Sequence, residues 1–410
     1  MTSTGEVHPH SLSSLSPAVV PAEAMHELRG VDSATIHFVE AQSSKRFYAP
    51  ELDSLRFVAF LAVFVFHARG LLSDGLSPPL KSIAAIVCGA GAFGVDLFFV
   101  LSAYLITELL LREKDLTGTL NFRGFYARRI LRIWPLYFFF LGLASLLPLV
   151  VSDQHFGWKY LVGFSVLAGN WVIVLLGVPG SVANILWSVS IEEQFYLCWP
   201  LVVSKLSKTR MVALAVSLLL VSNVTRFSLY HFGRATNQSV WFNTITHLDP
   251  IVLGILLALV IGTRPSVVKG FWRLILLGGS MLALLAVSAF ADLNANMQPM
   301  SALALFAYPS VAVSCLAILV ATLGTRIRIA RSAILLYLGK ISYGLYVYHF
   351  LGLWLAQRLF GTHRGFSYSP VCALTAFVMT VGCASLSYRF LESPFLQLKK
   401  RFTYIPSRPV

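Results

Sequence analysis

In a chain of 410 residues, 57% are hydrophobic and 12% charged, at a mean hydropathy of +0.73, which is more apolar surface than one soluble core can bury. Its 32 Lys and Arg against 18 Asp and Glu give a net charge of +14, yet the basic residues gather in short loops between apolar runs. That is the positive-inside distribution, not a nucleic-acid-binding face, and a polytopic membrane protein is expected.

Residues 1–50 are polar and mixed, with "SLSSLSP" and no basic region leading into an apolar h-region, so a disordered cytoplasmic tail is predicted, not a signal peptide. Eleven apolar segments of spanning length follow, near 54–72, 89–111, 133–151, 161–178, 190–205, 211–231, 245–262, 272–291, 303–323, 335–356 and 370–392. The basic loops Arg112 to Arg132, Lys205 to Arg210, Arg264 to Lys269, Arg326 to Arg331 and Lys399 to Arg401 all face the cytoplasm only if one segment between 133 and 205 fails to cross. The weakest is 161–178, interrupted by Gly163, Gly169, Asn170 and Gly177 and followed by Pro179, and it is predicted to be a re-entrant or interfacial element on the outer side. The expected fold is all-α: a polytopic membrane helical bundle of about ten transmembrane helices over 51–396, both termini cytoplasmic, ending in a short basic tail at 397–410. No fixed-period repeat or matched pair of broken helices is visible. The five cysteines, Cys88, Cys198, Cys315, Cys372 and Cys383, lie in apolar segments without CxxC or Cys/His spacing, so neither a disulfide framework nor a metal site is expected.

Ionisable groups inside spans are costly and by default face a protein interior or a water-filled path. "LDSLRFVAFLAVFVFHARG" (52–70) carries Arg56 and His67, eleven positions apart. In a helix that is three turns plus about 20°, so both lie on one face about 16 Å apart. Alone, a snorkelling Arg and a His bonded between helices explain the pair equally well. In "FYARRILRIWPLYF" (125–138), Arg128, Arg129 and Arg132 fit phosphate groups, or act as topogenic charge against lipid headgroups. In "LWSVSIEEQFYLCWPLV" (186–202), Glu192 and Glu193 follow Ser188 and Ser190 at a helix start, where a cap and the helix dipole favour such residues. A carboxylate pointing from there at His67 would orient it or stabilise its imidazolium form. Asp96 in "GVDLFFVLSAYLIT" and Asp249 in "HLDPIVLGILLA" are further intramembrane acids. His349, with Ser342, Tyr343 and Tyr346 in "ISYGLYVYHF", lines a polar cavity or is a satisfied core histidine, while Arg389 and Glu392 in "YRFLESPF" are spaced as a local ion pair.

Taken in order, "LDSLRFVAFLAVFVFH", "GVDLFFVLSAYLIT", "RRILRIWPLY", "WSVSIEEQFYLCWP", "ISYGLYVYH" and "RFLESPF" resemble the integral-membrane acyltransferase-3 family, the bacterial membrane O-acyltransferases, through most of residues 50–396. Ala103 stands where Gly is common in that family, and the C-terminal hydrolase-like domain of some members is not expected here. The resemblance implies an acyl group, acetyl first, moved from cytoplasmic acyl-CoA to a hydroxyl of an extracytoplasmic or membrane-associated saccharide or glycolipid, in a bacterial inner membrane. It makes acyl-CoA a co-substrate, with no tightly bound cofactor. Arg56, Arg128, Arg129 and Arg132 would then hold the CoA phosphates, and His67 would serve as general base or, alternatively, as a nucleophile. Glu192 is the candidate orienting carboxylate; Asp96, Ser188, Tyr343 and His349 are supporting candidates. Expected partners are acyl-CoA, the acceptor and membrane lipids, a homo-oligomer being compatible and nucleic acid not. The competing reading is a proton-coupled transporter or flippase of a saccharide or lipid intermediate, which has buried Arg, His and Glu but no need of CoA. A catalytically idle scaffold is a third, which no residue favours.

Overall fold

The computed structural model describes residues 49–261, 270–291, 297–325, 331–360 and 368–402, with 268, 293, 327 and 328. The tail at 1–48, the basic loop residues 264–267, 269, 326, 329 and 330, and 403–410 of the C-terminal tail lie outside the described residues. Every regular element among the described residues is helical. In chain order the main helices are α1 (Pro50–His67), α2 (Pro78–Thr117, bent at Gly91–Phe93), α3 (Phe122–Val150) and the short α4 (Trp158–Ser165) and α5 (Gly169–Leu176). They continue with α6 (Trp187–Lys205), α7 (Lys208–His231), α8 (Asp249–Ile261), α9 (Phe271–Phe290), α10 (Ala304–Thr322), α11 (Ser342–Phe360) and α12 (Tyr368–Ser387).

Six stretches among the described residues are long and apolar enough to cross a membrane: α2, α3, α7, α9, α10 and the run Ser369–Lys399 that contains α12. The chain is thus a multi-pass membrane protein. The remaining long helices are the ones that carry polar groups or are cut short: Glu51, Asp53 and Arg56 on α1, Glu192 and Glu193 on α6, His349 on α11, and only 13 residues in α8.

Lipid solvates Leu and Phe as well as a protein interior does, so water exclusion does not sort these helices. Accordingly α9 buries only Ser280 and Leu284. α1 is the opposite, packed against α2, α10, α11 and the short helix Ala333–Lys340, with Leu55, Phe60 and Val63 buried. Small residues let the backbones meet. A Cβ on Gly91 or Gly94 would strike the carbonyl of Ala62 or Ala59 on α1. Gly94→Val is therefore expected to cost about 1–3 kcal/mol through overpacking, read as a lower thermal-unfolding midpoint in detergent. Gly142→Ala, where an added Cβ meets nothing within 4 Å, should leave the midpoint unchanged or raised.

Three sequence expectations change in ways that bear on the site, and the interruption expected in 161–178 is seen. The stretch predicted as a loop from Arg112 to Arg132 is mostly helix: α2 runs to Thr117, Gly118 turns at φ 73°, and the Asn121 side chain accepts from the Gly124 N–H at 2.8 Å to start α3. Arg128, Arg129 and Arg132 thus ride on a helix. Segment 161–178 breaks into α4 and α5 around Leu167, whose φ of 58° is costly for a branched side chain. Gln194 Nε2 donates to the Leu167 carbonyl and to Asn170 Oδ1, both at 3.0 Å, and pins the break to α6. Eight residues span about 12 Å, well short of the ≈ 30 Å hydrocarbon core. Segment 335–356 divides at Ile341 because Gly339 packs on the Asp53 carbonyl, which turns Ala333–Lys340 against α1 and starts α11 at Ser342. After α12 the chain widens into a π-turn, Tyr388–Glu392, which changes the direction of Glu392.

Candidate functional site

The first cluster lies at the His67 end of α1. His67 Nδ1 is 3.0 Å from the Val63 carbonyl and 3.1 Å from Nε2 of His349, whose own Nδ1 is 2.6 Å from the Tyr346 carbonyl. Phe350 presents its edge to the His67 ring at 4.5 Å between centroids. His349 is fully buried whereas His67 is half-buried, so of the two residues His67 is the more exposed. Ser188 Oγ meets Tyr346 Oη at 2.7 Å, tying α6 to α11 directly beside the pair. In the last turns of α11, the Trp354 indole and the Arg358 guanidinium hold the Asp153 carboxyl below the usual carboxylate range and fasten the loop after α3 to that helix.

The second cluster lies toward the start of α1 and α3. Arg56 bonds Asp53 one turn earlier at 3.0 Å. Arg128 is spoken for, donating to Glu113 at 2.9 Å and to the Phe402 carbonyl at 2.7 Å. Arg129 and Arg132 are different: among the described residues neither has a hydrogen bond or a carboxylate within 4 Å, and the Arg129 Nε is enclosed without a partner. Arg129 lies over the Tyr196 ring at 5.6 Å, and Arg56, Arg129 and Arg132 are close enough to act on one another's charge. Arg56 is balanced by Asp53, and Glu193 near Arg129 and Glu392 near Arg132 lie beyond ion-pair distance, so this end holds two guanidiniums without a direct carboxylate partner among the described residues.

Between the clusters, Glu192 joins Ser102 and Tyr196 in a triangle of hydrogen-bonding oxygens, near enough to Arg56 and Arg129 to feel their charge. The side chain that hydrogen-bonds His67 is His349, and Glu192 belongs with the arginines. Trp134 Nε1 donates to Glu193 at 3.0 Å, leaving the other Glu193 oxygen buried and unpartnered. Tyr343 spends its hydroxyl hydrogen on the Ile133 carbonyl at 3.0 Å. Glu392 is turned inward by the π-turn to Ser387 Oγ at 3.4 Å, and Arg389 lies over Phe390, so the predicted Arg389–Glu392 ion pair is not formed.

Asp96 is buried with His247, Nε2 to Oδ1 at 2.9 Å, while His247 Nδ1 faces the Trp241 carbonyl at 2.8 Å. Asp249 pairs with Arg226 at 2.5 Å inside the same half of the bundle. The sequence reading missed Arg226 although the signal was available, since "NVTRFS" places a cation in the middle of a predicted span.

The described residues form a multi-pass helical bundle with a pair of imidazoles at one end of its central helix α1 and arginines without carboxylate partners toward the other. Residues 50–389 match the acyltransferase-3 family, described as an acyltransferase domain, and the chain belongs to it. It is similar to a protein of Staphylococcus aureus strain MRSA252 named as a candidate O-acetyltransferase, 28% identical over 395 residues that cover 88% of this chain and 60% of that one. It is also similar to O-acetyltransferase OatA of S. aureus strain NCTC 8325, 26% identical over 407 residues that cover 92% of this chain and 62% of that one. The chain thus spans about three fifths of the length of these relatives. No solved structure matches it.

Proposed function

We propose that this protein is a membrane O-acyltransferase that moves an acyl group, acetyl first, from cytoplasmic acyl-CoA to a hydroxyl of an acceptor in or beyond the bacterial inner membrane, a saccharide of a surface polysaccharide or a glycolipid. The observation that carries the reading is the pair Arg129 and Arg132, unpaired inside the bundle at the opposite end of α1 from a half-buried His67. In this reading α1, α6, α8 and α11 complete a set of ten crossings, both termini are cytoplasmic, α4 and α5 form the re-entrant element, and residues 1–50 and 397–410 are tails. Arg129 and Arg132, helped by Arg56, bind the CoA phosphates, and Arg128, held by Glu113 and the Phe402 carbonyl, fastens the start of α3. The separation of about 16 Å along α1 suits an extended pantetheine arm that delivers the thioester to His67.

At His67 the acceptor oxygen attacks the thioester carbonyl while Nε2 takes its proton; the C–O bond forms, the C–S bond breaks, and the imidazolium returns the proton to the departing thiolate. No proton is gained or lost overall. Glu192 then holds the Ser102 and Tyr196 hydroxyls and balances the arginines, and Ser188 with Tyr346 shapes the acceptor side. The displaced reading, a proton-coupled transporter or flippase, draws on the buried Asp96–His247 and Arg226–Asp249 pairs, which acyl transfer does not use.

The test is transfer of labelled acetyl from acetyl-CoA in membranes that contain the protein, followed by separation of lipid, glycan and soluble fractions. Protein-dependent label in a lipid or glycan fraction is expected. Absence of transfer together with absence of acetyl-CoA binding to the purified protein would remove the reading in favour of transport.

A further inference from the structure

A carbonyl can only accept a hydrogen bond, so the Val63 oxygen 3.0 Å from His67 Nδ1 places the ring hydrogen on Nδ1 and the lone pair on Nε2. The Tyr346 carbonyl fixes the His349 hydrogen on Nδ1 in the same way, which leaves His349 Nε2 as an acceptor facing His67 Nδ1 at 3.1 Å. With both rings neutral, the one His67 Nδ1 hydrogen is shared between the Val63 carbonyl and His349 Nε2, and the His349 Nδ1–H donates to the Tyr346 oxygen. His349 is itself immobilised, fully buried and packed edge-on against Phe60 at 6.1 Å, with Phe350 at 5.1 Å.

We infer that His349 is the positioning residue for His67: it anchors the Nδ1–H side of the ring, so that Nε2 is the nitrogen offered to the acceptor hydroxyl, and it stabilises the imidazolium formed during transfer. The inference rests on the acyl-transfer reading above. The stabilisation follows from charge. Once Nε2 has taken the acceptor's proton, the Nδ1–H bond to His349 becomes charge-assisted, about twice as strong as its neutral form. A neutral acceptor provides this without the desolvation cost of a carboxylate in a membrane interior. A histidine present only to fill the core would satisfy the Tyr346 carbonyl and show its other nitrogen to apolar neighbours; here that nitrogen meets the more exposed imidazole.

The experiment combines spectroscopy and kinetics. Protein carrying 15N-histidine, one signal set for each of its 10 histidines, is studied by NMR in lipid nanodiscs, with His67 and His349 assigned by their loss in His67→Gln and His349→Gln. The expected result is hydrogen on Nδ1 of both rings, a bare Nε2 on His67, and a coupling between His67 Nδ1 and His349 Nε2 across the hydrogen bond. In the acetyl-transfer assay His349→Phe, which keeps the ring volume but has no acceptor, should lower kcat by about a hundredfold with KM for acetyl-CoA within about threefold. His349→Gln, whose Oε1 can accept at the place of Nε2, should recover to within about tenfold of wild type. Hydrogen on Nε2 of wild-type His67, an absent coupling, or a His349→Phe protein as fast as wild type would each overturn the inference; the wild-type spectrum and the Gln variant decide it even if the Phe variant does not fold. A spectrum as expected in a protein that neither binds acetyl-CoA nor transfers acetyl would leave the hydrogen-bonded pair standing and remove the acyl-transfer reading instead.

Discussion

Replacing His67 with Ala is expected to lower acetyl transfer by about a thousandfold, while binding of acetyl-CoA changes by less than about threefold. A positioned general base contributes about 10²–10⁴ in rate, and a thousandfold corresponds to about 4 kcal/mol of transition-state stabilisation. The middle of the range applies because His67 takes the proton from the acceptor and also returns it to the thiolate, so its loss removes help at both bonds. Binding is spared because Arg56, of the arginines proposed to hold the donor, lies three helical turns from His67 along α1, and the other two lie on α3. Labelled transfer and equilibrium binding, measured on the same purified preparation, check the two halves of the expectation. A large drop in binding would relocate His67 to the donor site, and unchanged transfer would exclude it as the base.

The complementary result is expected at the other end of the bundle. Arg129→Gln and Arg132→Gln should each raise KM for acetyl-CoA by about tenfold to a hundredfold, from the 1.5–3 kcal/mol typical of a hydrogen bond to a charged group. Because these contacts form equally in the ground and transition states, kcat at saturation should fall by no more than about threefold. Arg128→Gln is expected to behave differently. Its guanidinium bridges Glu113 and the Phe402 carbonyl, so its loss should lower stability more than it raises KM. Steady-state kinetics with varied acetyl-CoA, beside thermal unfolding in detergent, separates these effects; equal KM effects from all three would show that Arg128 is released when donor binds.

Much of the bundle was legible because its signals are local. A run of twenty apolar residues, a break at Gly and Pro, and an Arg and a His eleven positions apart on one helix can all be read within a single window, and most windows contain a helix even where its ends lie elsewhere. What was illegible depends on pairings between windows. Nothing near Arg128 distinguishes it from Arg129, and only Glu113 fifteen residues earlier and Phe402 at the far end of the chain make one a brace and leave the other unpaired. The inward direction of Glu392 follows from a single wide turn, which shifts its phase away from the i, i+3 spacing that suggested an ion pair with Arg389. Glu192 was the reasonable partner for His67 on chemistry alone, since carboxylates commonly orient imidazoles; the close packing of α11 beside α1 supplied a second imidazole instead.

The central place of α1 also says something about time. His67 and His349 are 282 residues apart in the chain, which at 5–20 residues per second is roughly 15–55 s of synthesis. Through that interval the first helix, with Glu51, Asp53 and Arg56, exists before α10, the Ala333–Lys340 helix and α11 are made to surround it. The helix that holds His67 is therefore among the first made and the last enclosed. Assembly must keep it waiting beside earlier helices such as α2, whose glycines at 91 and 94 already fit its backbone, until the final third of the chain closes the bundle.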